Sequence, residues 1–168
     1  METKLTTKSA HRIMVLDDDP FALELIEFRL KQRFPGIEVD CTTKPELKSG
    51  YDLYLIDNEF EGRHMAAELA GSAKTVDPET PVLAFSARLD RESLKKLINN
   101  GCIGAFDKRQ PKEFDQMLET IEQHFINLDQ NDTNTAAPGK TAELIKSISE
   151  LLHEWNQRLR IENADHVG

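Results

Sequence analysis

The chain has 168 residues, 30% of them charged and 39% hydrophobic, with a formal net charge of -9. That composition fits a soluble globular protein with one well-filled domain plus an appendage, and the acidic balance excludes a general nucleic-acid binder, which needs a basic face. The N-terminal METKLTTKSAHR lacks the apolar core of a secretory signal, and no apolar run approaches the ~18 residues that span a bilayer.

In chain order, residues 1–10 are polar and read as a flexible N-terminus. Residues 12–17 (RIMVLD) form a short apolar run, a buried strand. Residues 21–34 place Phe21, Leu23, Leu25, Ile26, Phe28, Leu30 and Phe34 at helical spacing, and Pro35-Gly36 ends that helix. A second strand covers 37–41. Residues 42–50 allow at most a short helix. YDLYLID (51–57) is a third strand, 61–74 a helix, and TPVLAFSA (80–87) a fourth strand. The helix at 90–101 starts on an Asp cap and ends at Gly101. A fifth strand follows at 102–108, and the helix at 111–128 has Pro111 at its first position. Strict alternation of short apolar strands and helices predicts a doubly wound parallel α/β sheet, covered on both faces, with its chemistry at the C-terminal strand ends. Two cysteines, Cys41 and Cys102, lack metal-ligand spacing and read as free buried thiols of a reducing, cytoplasmic compartment.

Residues 129–140 lack large apolar side chains and read as a linker. Residues 141–161 carry a stripe of Leu144, Ile145, Ile148, Leu151, Leu152, Trp155 and Leu159, an amphipathic C-terminal helix. Its apolar face must be covered by the domain, a partner or a second copy. The tail at 162–168 reads as disordered. Too little chain follows the domain, by ordinary domain-size limits, for a DNA-binding output domain. His64, His124 and His153 read as ordinary surface or core residues.

The strand ends carry the chemistry. Strand one runs into Asp17-Asp18-Asp19, strand three ends on Asp57, strand four on Ser86 and strand five on Lys108. Asp19, directly before Pro20, is explained as a helix N-cap. Asp17, Asp18 and Asp57 would repel one another unless a cation compensates, and oxygen-only ligation with room for water suits Mg²⁺. Lys108 adds a positive charge and Ser86 a hydroxyl, so the group could hold a phosphoryl group against a carboxylate nucleophile.

VLDDDP, YDLYLID, VLAFSA and the strand ending in Lys108 together resemble the receiver domain of bacterial two-component response regulators, over roughly residues 11–128. The resemblance implies a flavodoxin-like fold of strand order 2-1-3-4-5 and a phosphoprotein that is not a conventional enzyme. Asp57 would be the phosphoacceptor, served by a histidine kinase or histidine phosphotransfer protein. Asp17, Asp18, Asp57 and the backbone carbonyl of Glu59 would hold Mg²⁺, while Ser86 and Lys108 would grip the phosphoryl group. Glu59 and Arg88 occupy positions that tune its hydrolysis, and an ion pair between them across the site mouth is expected. At the switch position three residues before Lys108, where an aromatic is usual, stands Ala105. Its neighbour Phe106 could replace it only through a change of register. Output is expected through protein contacts, including a possible homodimer through 141–161, and not through nucleic acid or membrane. The competing reading is a degenerate receiver, a constitutive interaction or dimerisation module that never turns over phosphate.

Overall fold

The computed structural model describes residues 10–132. A five-stranded parallel sheet is built from β1 (Arg12–Leu16), β2 (Glu38–Thr42), β3 (Leu53–Ile56), β6 (Val82–Ser86) and β7 (Cys102–Asp107). Between β3 and β6 lie the two short strands β4 (Glu59–Phe60) and β5 (Arg63–His64), which pair only with each other. The helices are α1 (Pro20–Arg33), α2 (Ala66–Val76), α3 (Arg91–Asn99) and α4 (Pro111–Asp132). The sheet order is β2-β1-β3-β6-β7, the order expected once the five principal strands are counted in sequence. The flexible N-terminus, the amphipathic segment 141–161, the tail, and the linker beyond residue 132 lie outside the described residues.

Alternation along the strands sorts the core into two layers. Ile13, Val15, Leu53, Leu55, Leu83 and Phe85 join the α1 and α4 side chains Leu23, Ile26, Leu30, Phe114, Met117, Ile121 and Phe125. Met14, Leu16, Tyr54, Ile56, Val82 and Ala84 join Ala66, Leu69, Ala70 and Ala73 of α2 and Leu97 of α3. Both faces are therefore dry over β1, β3 and β6, which read as apolar runs, whereas the edge strand β2 (EVDCT) has no buried residue.

Four local features differ from the sequence reading. Residues 43–52 contain no helix; the connection is pinned as irregular chain, with Gly50 N–H donating to Asp77 (3.0 Å), Tyr54 Oη donating toward Lys48 O (2.8 Å) and Thr80 Oγ1 donating to Tyr51 O (2.9 Å). Residues 61–64 belong to a hairpin, not to a helix. Glu61 and Gly62 are its two-residue turn, both with positive φ (50° and 77°), the geometry that matches strand twist. Helix α4 continues through residues 129–132, helped by Asp129, which pairs with His11 at 3.0 Å. Finally, Cys102 is buried but Cys41 is exposed on the edge strand β2.

The last pairing, β6 with β7, carries an irregularity. Val82 faces Cys102, yet Leu83 faces Gly104, so Ile103 is the extra residue of a bulge. Beyond it Ala105 pairs with Ala84 and Phe106 with Phe85. The register change thus exists, but it turns Phe106 into the α1–α4 layer and leaves Ala105 in the α2–α3 layer. Gly104 sits in a tight spot there. A Cβ on it would stand 3.0 Å from Leu83 Cδ2 and 3.1 Å from the Phe106 ring.

Candidate functional site

Four strands stop at one rim, and the backbone ladder runs past their ends. Asp17 N–H donates to Thr42 O (3.1 Å), Asp57 N–H to Leu16 O (2.8 Å) and Lys108 N–H to Ser86 O (3.1 Å). The four residues are therefore fixed by sheet hydrogen bonds and not by loop conformation. Asp19 caps α1 by accepting from Phe21 N–H (2.9 Å).

Asp17, Asp57 and Ser86 are buried, with relative exposures of 1%, 7% and 1%. One carboxylate oxygen from each of Asp17, Asp18 and Asp57 lies within 4.8 Å of the others, a spacing that one hard cation could bridge. The Lys108 ammonium enters from β7, bonded to Asp17 Oδ2 and 3.3 Å from Asp57 Oδ1. It also lies 5.9 Å from the centre of the Phe85 ring. Burial pushes the Asp17 carboxyl up; the Lys108 hydrogen bond opposes this, and the Asp57 charge adds to it. Asp57 Oδ2 accepts from Glu59 N–H at 3.3 Å, whereas Asp57 Oδ1 is buried and makes no hydrogen bond. A buried carboxylate oxygen with unused acceptor capacity, among oxygen donors, fits Mg²⁺.

Glu59 and Arg88 meet at the mouth, with Arg88 Nε 3.3 Å from Glu59 Oε2. Ser86 Oγ accepts from Arg88 N–H (3.3 Å). Ala105 and Phe106 do not join this group; they lie in the two opposite core layers described above.

Two features were missed from sequence. Asn58, buried at 2% exposure, donates to Arg88 O (3.0 Å) and ties the segment after β3 to the loop before α3. The hairpin closes over the site, its Glu61 N–H held by Asp18 Oδ2 (2.8 Å). At its far end His64 Nδ1 lies 3.2 Å from Ser93 Oγ in α3, whose N-cap Asp90 accepts from Ser93 N–H (2.7 Å). The Glu61-Gly62 pair between short β-compatible residues was the available signal, though Asn or Asp is usual at that first position.

No family model matches the chain. It is 30% identical over 120 residues to the glycerol metabolism activator of Pseudomonas putida, covering 67% of this chain and 53% of that protein. The chain thus spans about half the length of the curated relative it matches. Among solved structures it is similar to a CheY-like response regulator receiver domain protein from Methanospirillum hungatei (TM-score 0.62, 21% identity, covering 74% of this chain and 98% of that one). It is similar also to the BeF3-activated DrrB receiver domain (TM-score 0.61, 20% identity, 70% and 98%) and to chemotaxis response regulator CheY4 of Vibrio cholerae (0.57, 16%, 69% and 99%). The fold is that of CheY-like response regulator receiver domains.

Proposed function

We propose that the chain is a response regulator that accepts a phosphoryl group on Asp57 from the phosphohistidine of a histidine kinase or phosphotransfer protein in the cytoplasm. The observation that carries this reading is the buried Asp57 carboxylate with Lys108 at 3.3 Å and the Asp17 and Asp18 oxygens within 4.8 Å. An Asp57 oxygen attacks phosphorus, the P–N bond of the donor breaks, and the freed imidazole takes a proton from solvent. Lys108 neutralises charge on the phosphoryl oxygens as they approach. Asp17, Asp18, Asp57 and the Glu59 carbonyl would hold Mg²⁺, which when bound would supply further charge neutralisation. Ser86 donates to a phosphoryl oxygen and draws β6 toward it. The chain is not a conventional enzyme: it is the substrate of its own transfer and of a slow hydrolysis. The Glu59–Arg88 pair hinders the water that would attack the phosphoryl group, so Glu59→Ala and Arg88→Ala should both shorten the phosphorylated lifetime. Two unchanged lifetimes would end that part of the reading.

Output passes through protein contacts, since the net charge of -9 disfavours a phosphate backbone as partner. No described helix is long and apolar enough to cross a membrane. A second reading, a receiver that binds Mg²⁺ but never turns over phosphate, draws on Ala105 at the switch position. One experiment separates the two. Incubation with a small phosphodonor and Mg²⁺ should add the mass of one phosphate, absent in Asp57→Asn. Metal binding with no mass gain in the parent protein would favour the second reading.

A further inference from the structure

The β4–β5 hairpin touches the acidic site on one side and α3 on the other. Toward the site, Glu59 N–H donates to Asp57 Oδ2 (3.3 Å) and Glu61 N–H donates to Asp18 Oδ2 (2.8 Å). Toward α3, His64 Nδ1 lies 3.2 Å from Ser93 Oγ, and Ser93 is buried. Cross-strand pairing joins the two sides, because Glu59 and His64 stand directly opposite each other.

We infer that His64 is a positioning residue through which the hairpin carries the state of Asp57 to α3, a regulation of the proposed phosphoacceptor site that rests on that reading. The hairpin is built to move as a unit. Its turn is two residues long, Met65 N–H donates to Asn58 O (2.9 Å) at its open end, and Phe60 is buried among the side chains of the α2–α3 layer. A shift at Glu59 therefore passes to His64 and is not absorbed in loose chain.

Both site-side bonds end on carboxylates whose surroundings change on phosphorylation. A phosphoryl group on Asp57 adds about two negative charges and three acceptor oxygens beside Glu59 N–H. The same backbone hydrogen that now meets Asp57 Oδ2 is drawn to those oxygens. The remaining polar contacts of this segment stop short of the helix. Asn58 donates to Arg88 O, and Glu59 pairs with an Arg88 side chain that is 72% exposed, where water screens the charge. Arg88 precedes the N-cap Asp90, whereas Ser93 lies in the first turn of α3 with its N–H held by Asp90 (2.7 Å). Of these contacts, His64 with Ser93 is the one that enters α3. Ala105, with no rotamer to change, offers no competing route through the switch position.

The test uses the full-length protein in Mg²⁺, with and without beryllofluoride, a phosphoryl mimic whose bound fluorine signal reports occupancy of Asp57. Amide hydrogen exchange, read by mass spectrometry, should change by at least about twofold over both 58–64 and 91–99 when the mimic binds the parent. In His64→Ala and in Ser93→Ala the bound fluorine signal and the change over 58–64 should remain, while the change over 91–99 is lost. His64→Asn should restore it, since the Asn amide reaches the place of Nδ1. Ser93→Ala leaves the hairpin itself untouched, so it carries the test where His64→Ala loosens the fold. The inference is overturned if α3 of either folded Ala variant responds as in the parent, or if the mimic binds the parent and α3 does not respond. The absence of a bound fluorine signal in the parent is a different failure: it overturns the phosphoacceptor reading, and this inference with it.

Discussion

The core layer between the sheet and α1 and α4 holds the rings of Phe85, Phe106, Phe114 and Phe125, whereas the layer toward α2 and α3 mixes five alanines, Ala66, Ala70, Ala73, Ala84 and Ala105, with larger side chains such as Tyr54, Phe60 and Leu97. The first face interlocks large rings: Phe85 and Phe114 meet edge-on at 5.1 Å, and Phe106 lies against Gly104. The second draws α2 onto the strands with small side chains. Both faces reach the same rim, so the difference bears on how a change at Asp57 could leave the site. An aromatic gate needs a ring that can turn beside α3. Here Phe106 lies in the α1–α4 layer, and Ala105, in the α2–α3 layer, has no rotamer to change. The contacts from the segment after β3 are polar: Asn58 donates to Arg88 O and Glu59 pairs with Arg88, just before α3, and His64 meets Ser93 within it.

The largest effect that could break this comparison comes from Phe106. If it is a fixed part of the aromatic layer, Phe106→Ala removes a ring that is 5% exposed and should cost about 3–5 kcal/mol by urea denaturation. A loss under ~1 kcal/mol would mean that the ring is loosely held and free to serve elsewhere.

Much of this was legible in the sequence, for identifiable reasons. Each strand ends where its apolar run meets Asp17, Asp57, Ser86 or Lys108, and a parallel order puts such ends on one rim. Asp19, Asp90 and Pro111 carry their cap positions in their chemistry, and the structure places them at helix starts. The hairpin was hidden because residues 61–74 keep helix-like composition, and a Glu in the left-handed region is unusual. The bulge at Ile103 depends on which residue of β6 faces which residue of β7, a pairing that no single strand encodes. Phe21, Leu25 and Phe28 stay exposed because apolar residues occupy more of α1 than its buried side, Leu23, Ile26 and Leu30, needs.

Next in size is the reverse substitution. Ala105→Phe tests whether the alanine face has room for a ring. With Ala105 at 6% exposure beside Ala84 and Leu97, overpacking should cost about 1–3 kcal/mol. An unchanged denaturation midpoint would show that α3 can move aside, and that an aromatic gate could operate at this position.

Where the faces meet at the rim, the site itself should carry an electrostatic cost. Asp17 is held above its ordinary value of 3.8, so the folded protein binds more protons than the unfolded chain between 3.8 and the raised value. Stability therefore falls as pH rises through that window, and at neutral pH the ionised carboxylate is a net burden despite Lys108. Asp17→Asn should stabilise the metal-free protein at pH 7 by about 1 kcal/mol and lose that advantage below 3.8, while Mg²⁺ should stabilise the parent more than the variant. A less stable variant at pH 7 would show that the Lys108 pairing outweighs the burial.

The smallest expected effect belongs to the aromatic face, at the end far from the site. His124 of α4 sits beside Phe125, their ring centres 6.0 Å apart, with its Nε2 2.8 Å from Asp52 O. Burial lowers its pKa below the ordinary 6.5, and the Asp52 carbonyl only partly offsets this. The folded protein then binds fewer protons than the unfolded chain between the lowered value and 6.5, so stability is full above 6.5 and falls as pH drops through the window. The loss should be about 1 kcal/mol or less between about pH 7.5 and pH 5.5, above the range where carboxylates dominate. Gln keeps a donor for Asp52 O without a titrating ring, so His124→Gln should flatten that slope while preserving the stability at pH 7.5. A slope that survives the substitution would place the proton uptake elsewhere.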